Sequence, residues 1–188
     1  MTVIEKITEI NGALKEIFNF TQSDSVIKED FTEYLSTIGN SNLSLSQVEN
    51  VFLPYVCERR IDDKSILEMF KEQTKNTDIV NGLINSISSV FEIKKILKNG
   101  FELYNLVNEK TYTVSSLTKM TSFRGVYAGQ FIVARIFPLD KEYYMIEISS
   151  ILSHSQKEEA YRYAVMKLIQ NPKALYSDNK ERKKNFSP

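Results

Sequence analysis

The stretch from Val90 to Leu152 limits what this chain can fold into more than any other part. It is the one region where β-branched and aromatic residues alternate with polar ones, interrupted at short intervals by turn residues. The spacing predicts five strands. The first runs from Val90 to Leu97 and ends at Asn99-Gly100, a dipeptide that tolerates positive φ and favours a tight hairpin. The second, Phe101 to Val107, is separated by Asn108-Glu109 from the third, Lys110 to Leu117. A loop from Thr118 to Gln130 carries Gly125 and Gly129. The fourth strand, Phe131 to Phe137, breaks at Pro138, and Leu139 to Glu142 turn into the fifth, Tyr143 to Leu152. Five short antiparallel strands are too few for an immunoglobulin-type sandwich. They suit a small closed or half-closed barrel, which also removes exposed strand edges.

Strand four is apolar on both faces, with Ile132, Ala134 and Ile136 on one and Phe131, Val133, Arg135 and Phe137 on the other. Such a strand is covered on both sides. The barrel interior covers one, so helical segments are expected on the other, packing the chain into one unit. Three regions follow: an acidic helical region over 1–89, the barrel over 90–152, and a C-terminal helix with a basic tail over 153–188.

Before the barrel, apolar residues recur at helical spacing. Ile4, Ile7, Ile10, Leu14, Ile17 and Phe18 mark a first helix. Ser23 or Asp24 caps a second, which Gly39-Asn40 stops. A third opens at Ser44 or Ser46, and Pro54 is expected to kink or divide it. The segment IDDKSILEMFKEQ gives a fourth, and Asp78 to Ser89 a fifth that runs almost directly into the first strand. After the barrel, Ser153 with Gln156 and Ser155 with Glu158 both match a capping box. The helix that follows is expected to turn Ala160, Tyr161, Ala164, Val165 and Leu168 to one side and to end at Asn171-Pro172.

The net charge of zero hides an asymmetry. Residues 1–89 hold 8 Lys/Arg against 14 Asp/Glu, residues 90–152 hold 8 against 6, and residues 153–188 hold 8 against 4. The simplest meaning is mutual attraction of an acidic half and a basic half; the functional meaning is a basic surface open to an anionic partner. No run approaches the length of a membrane span, and the N-terminal residues lack a secretory pattern. A single cysteine fits a reducing compartment, so a cytoplasmic location is expected, with no membrane partner.

Catalytic chemistry is poorly supported. One histidine and one cysteine cannot build a zinc site of the usual kind, and no phosphate-binding, dinucleotide or nucleophile-elbow motif is present. Cys57 sits in an apolar helical pattern and His154 at a helix start. No enzyme activity and no cofactor are expected. Three residues stand out for binding. Arg124 and Tyr127 lie in the glycine-bearing loop, whose backbone N–H groups could grip an anion. The loop matches the aromatic RNA-binding strand pattern only at Arg124-Gly125, since Val126 stands where an aromatic is required. Arg135 is a charge on an apolar strand face, to be paired with Glu147 or with an acidic helix residue, or else to meet a ligand. Tyr104, Tyr112, Tyr127, Tyr143 and Tyr144 fall among Lys94, Lys95, Lys98, Lys110 and Lys119, a mixture used by single-strand stacking surfaces and by protein interfaces alike.

Three segments, FLPYVCERRIDDKSILEMF, SSVFEIKKILKNGFELYNLVNEKTYTV and GQFIVARIFP followed by EYYMIEIS, carry a family likeness. In this order the chain resembles a family of uncharacterised bacterial proteins, including cyanobacterial ones, with a helical region before a small SH3-like barrel. The resemblance covers about half the chain and implies a fold, not an activity. Some members carry a Cys-rich zinc-binding appendage; this sequence has no such cysteines, so no metal role carries over. The expectation is therefore an α+β protein: an N-terminal helical lobe packed on a five-stranded antiparallel SH3-like barrel, with a C-terminal amphipathic helix. Its expected role is a non-catalytic protein-interaction or assembly module; the alternative is an RNA- or ribosome-associated protein using the basic C-terminal half.

Overall fold

The computed structural model describes residues 3–37 and 45–170. The fold is α+β and divides into two compact units, Met1–Ile84 and Asn85–Pro188.

The first unit holds α1 (Val3–Ser23), α2 (Ser25–Thr37), α3 (Leu45–Glu58), the two-residue strands β1 (Arg60–Ile61) and β2 (Lys64–Ser65), α4 (Ile66–Lys71) and α5 (Thr77–Ile84). Asp24 makes the cap that starts α2, its Oδ1 accepting from the Val26 and Ile27 backbone N–H groups at 3.0 Å each. The expected stop at Gly39-Asn40 and the cap at Ser44 lie outside the described residues. Pro54 does not divide α3, which runs on to Glu58. The proline removes one backbone bond, while the buried side chains Phe52, Tyr55 and Val56 hold the segment on both sides of it.

A charged cluster ties α2 to α3. The Tyr55 hydroxyl donates to Asp30 Oδ2 at 2.9 Å, and Arg59 donates through Nη2 to Asp30 Oδ1 at 2.6 Å and through Nε to Oδ2 at 3.0 Å. The bonds from Arg59 hold the Asp30 carboxyl below the usual carboxylate range. Burial, and then the neighbouring Asp30, pushes the Tyr55 hydroxyl up, so it remains a donor. Because the folded pKa of Asp30 is depressed, its contribution is present above the unfolded value and is lost as pH falls through the folded one. D30N is expected to cost about 1–2 kcal/mol at pH 7, discounted for the half-exposed Arg59. In urea titrations the gap between wild type and variant should close as the pH drops below about 4; a gap unchanged at low pH would refute this linkage.

The segment IDDKSILEMFKEQ is only partly helical. Its start forms the β1–β2 hairpin, turning through Asp62 and Asp63 at φ 49° and 66°, a conformation Asp tolerates better than most residues. Ser65 then caps α4 in a reciprocal box with Glu68. The expected helix over Asp78 to Ser89 also ends early. Ile87 leaves the helical stripe and opens the barrel opposite Ile136.

The second unit contains β3 (Ile87–Leu97), β4 (Gly100–Asn105), β5 (Thr111–Ser116), β6 (Phe131–Leu139), β7 (Glu142–Leu152) and α6 (Lys157–Gln170). The strands close into a barrel in the order β3-β4-β5-β7-β6. The sheet is mixed, not antiparallel: β5 and β7 run parallel through Val114↔Tyr143, Ser115↔Tyr144 and Ser116↔Met145. A closed ring with an odd number of strands cannot alternate direction throughout, so one parallel pair is obligatory. Inside lie Phe91, Ile93, Phe101, Leu103, Tyr112, Val114, Ile132, Ala134, Ile136 and Met145.

Two boundaries differ for local reasons. Pro138 does not end β6, because β6 continues to Leu139 and the hairpin turns at Asp140 and Lys141, φ 50° and 67°. Gly100 is the first residue of β4 rather than part of the turn. A Cβ there would meet the Val114 carbonyl oxygen at 1.9 Å, so glycine is required for close approach to β5.

The outer face of β6 is covered within the same unit. Val90, Phe131 and Val133 pack beneath Ala160 and Ala164 of α6, with Leu106, Val107 and Leu152 beside them. The two alanines let the helix approach closely. The expected inward face of α6 is corrected in part: Tyr161 and Val165 are exposed, and the Leu168 side chain and Asn171-Pro172 lie outside the described residues.

Candidate functional site

The loop between β5 and β6 is built from the barrel outward. A 3-10 turn, Met120–Phe123, follows β5, and Phe123 packs edge-to-face on Phe101 at 5.3 Å while Val126 rests on the same core. The chain then turns at Gly125 and Gly129, φ 86° and 88°, the region glycine occupies at little cost. Arg124, just before the first glycine, and Tyr127, between the two, face solvent, Tyr127 at 52% exposure.

The backbone donors of this loop are largely spent on the fold. Val126 N–H reaches Phe123 O at 3.1 Å, Tyr127 N–H reaches Gln130 Oε1 at 2.9 Å, and Gly129 N–H reaches Ile93 O at 2.8 Å. An anion grip by the loop backbone therefore lacks these donors, and the glycines serve the turns. His154 Nδ1 lies 3.1 Å from Gly129 O, and its ring stacks over Phe131 at 6.3 Å and 15°. This fastens the loop to the chain entering α6.

Arg135 does not join Arg124 and Tyr127. It stands four residues into β6, about 13 Å from its first residue, with its side chain 5% exposed. Its register partner is Glu147, with Nε 3.5 Å from Oε2, and its Nη1 donates to Ser86 Oγ at 3.2 Å. Of the two pairings considered from sequence, the strand partner is the one found.

The tyrosine-lysine mixture also separates. Tyr112 is buried and meets Tyr143 edge-to-face at 4.9 Å, while Tyr144 is fully buried beside Phe137. Tyr104 is half-buried on the outer face of β4, flanked across the ladder by exposed Thr111 and, one pair further, Thr113. Lys94 Nζ sits 5.3 Å from its ring centroid and also 2.9 Å from Glu92 Oε1. Lys94 is the residue skipped where the β3–β4 register shifts between Ile93 and Lys95. A bulge of this kind re-aims a side chain, here across Tyr104.

Two further features escaped sequence reasoning. Tyr161, Val165 and Ile169 form an i, i+4, i+8 stripe on α6, exposed at 43%, 53% and 73%. Of the side expected to face inward, Ala160 and Ala164 do so, whereas Tyr161 and Val165 lie far enough round the helix to stay exposed. In the helical unit, an apolar groove of about 540 Å³ is lined by Leu14, Phe18, Val48, Phe52 and Leu53. Among the described residues, no three His, Cys, Asp or Glu side chains gather as metal ligands, and no helix is long and apolar enough to cross a membrane.

Comparison with protein-family models, with characterised proteins and with solved structures returns no match to this chain.

Proposed function

We propose that this protein is a non-catalytic protein-interaction or assembly module, working in the cytoplasm, of the uncharacterised bacterial family it resembles. One observation carries the reading. The Tyr161, Val165 and Ile169 stripe leaves large apolar side chains in water while Ala160 and Ala164 seat α6 on the barrel. Exposed aromatic and aliphatic anchors of this kind are what protein partners bury. Arg124 and Tyr127 supply a second, polar-aromatic contact on the loop that His154 holds near the start of α6.

The test compares native-lysate pull-downs, with nuclease present, using wild type and V165D/I169D. Specific partners should be recovered by wild type and lost from the variant, with circular dichroism unchanged because both positions are exposed. Recovery of the same partners by both proteins would refute the assignment to α6.

A second reading, an RNA- or ribosome-associated protein using the basic C-terminal half, is favoured by the open β3–β5 face with Tyr104 beneath Lys94. The finer fold assignment belongs with it. An SH3-like barrel was expected, yet a five-stranded order with the third and fifth strands parallel is the connectivity of oligonucleotide- and oligosaccharide-binding barrels. We take the barrel to be of that type. Such barrels bind ligands on the face of their second and third strands, here β4 and β5.

A further inference from the structure

Resting on that second reading, we infer that Lys94 is a movable cap on Tyr104, held closed by Glu92 and opened by a phosphate of single-stranded nucleic acid. Three observations meet at one spot. The register shift frees Lys94 from strand pairing, the Lys94 ammonium lies across the Tyr104 ring, and the same ammonium is bound to Glu92. Glu92 is the direct register partner of Tyr104, so cap, ring and carboxylate form one compact group. With the cap closed, a base cannot stack on the side of the ring that Lys94 covers. A phosphate competes with Glu92 for the ammonium; once Lys94 moves to it, that side of the ring is open and a base stacks there. Lys98 is exposed in the turn after β3, and Lys95 is exposed opposite Glu102 in register. Lysine suits the task because its ammonium is a point charge on a flexible stem.

The experiment measures anisotropy of labelled 12-nucleotide oligo-uridine against the full chain across a salt series. Wild type should bind with a salt-dependent affinity. Y104A should bind roughly tenfold more weakly, while Y104F, which keeps the ring, should match wild type. E92Q should bind about threefold more tightly, since the phosphate no longer competes with a carboxylate, and K94M should flatten the salt slope by about one phosphate contact. If wild type fails to bind at low salt, the nucleic-acid reading itself falls. If wild type binds but Y104A and E92Q are unchanged, the cap is refuted while the nucleic-acid reading stands. Displacement of the probe by poly-aspartate, with Y104A and E92Q again unchanged, would also overturn the cap and assign the face to acidic protein segments.

Discussion

G100A is expected to lose about 3 kcal/mol or more of stability, or to fail to fold, from one added methyl group. The Cβ would stand 1.9 Å from Val114 O and 2.9 Å from Val114 C, and both are backbone atoms of β5. No rotamer change relieves that contact. Either β4 and β5 separate or the Phe101↔Val114 pairing next to it distorts. Both of those side chains belong to the barrel core, so strain passes directly into packing. Gly12 provides the contrast, because it lies within α1 with nothing within 4 Å of an added Cβ. G12A should stabilise by roughly 0.5–1 kcal/mol through helix propensity. Urea denaturation of the two variants checks both signs. A G100A protein as stable as wild type would mean that β4 and β5 do not approach as described.

R135A is the second large effect, expected at about 2–4 kcal/mol, because it leaves the largely buried Glu147 carboxylate with the Ser149 hydroxyl at Oε1 but without its cation. The two side chains are 5% and 12% exposed, and they are direct register partners on β6 and β7. Deleting one charge is costly; deleting both is not. R135M/E147M should recover most of the loss, since methionines of similar reach keep the apolar packing. A double variant no more stable than R135A would show that the ion pair is not what the arginine serves. Unchanged partner capture by the folded double variant would remove Arg135 from the binding residues, leaving Arg124 and Tyr127.

The five strands were legible because each is rich in β-branched and aromatic residues and bounded by turn residues, and β4 and β5 also alternate in polarity. Tyr112 and Val114 point inward and Thr111 and Thr113 outward, as period two requires. The two faces of β6 were equally readable, and so was the need for a cover on the outer one. What the pattern could not supply is who pairs with whom. Strands β5 and β7 are not neighbours in sequence, so nothing local marks their parallel contact, although an odd count in a closed ring required one. Local strand chemistry misled at Pro138, which β6 accommodates near its end, and at Ile87, whose spacing suited a helix as well as a strand. The β1–β2 hairpin was missed because Asp62-Asp63 lacks the glycine that usually announces such a turn. The exposure of Arg124 and Tyr127 was legible because a glycine-bearing loop between strands lies at the surface. The Lys94–Tyr104 pair depends on a one-residue slip in register, and α6 depends on small residues seating more closely than large ones.

The parallel seam between β5 and β7 also belongs to the late steps of assembly. Its three residue pairs join strands separated by the whole glycine loop and by β6, whereas the β3–β4, β4–β5 and β6–β7 ladders each link neighbours in sequence. Local hairpins zip before distant segments meet, because closing a long loop costs entropy that only later contacts repay. The barrel is therefore a β3–β4–β5 meander and a β6–β7 hairpin until its two long-range seams, β3–β6 and β5–β7, close. During that interval Tyr112, Val114 and Met145 are wet, and a strand from another molecule could enter where β7 belongs.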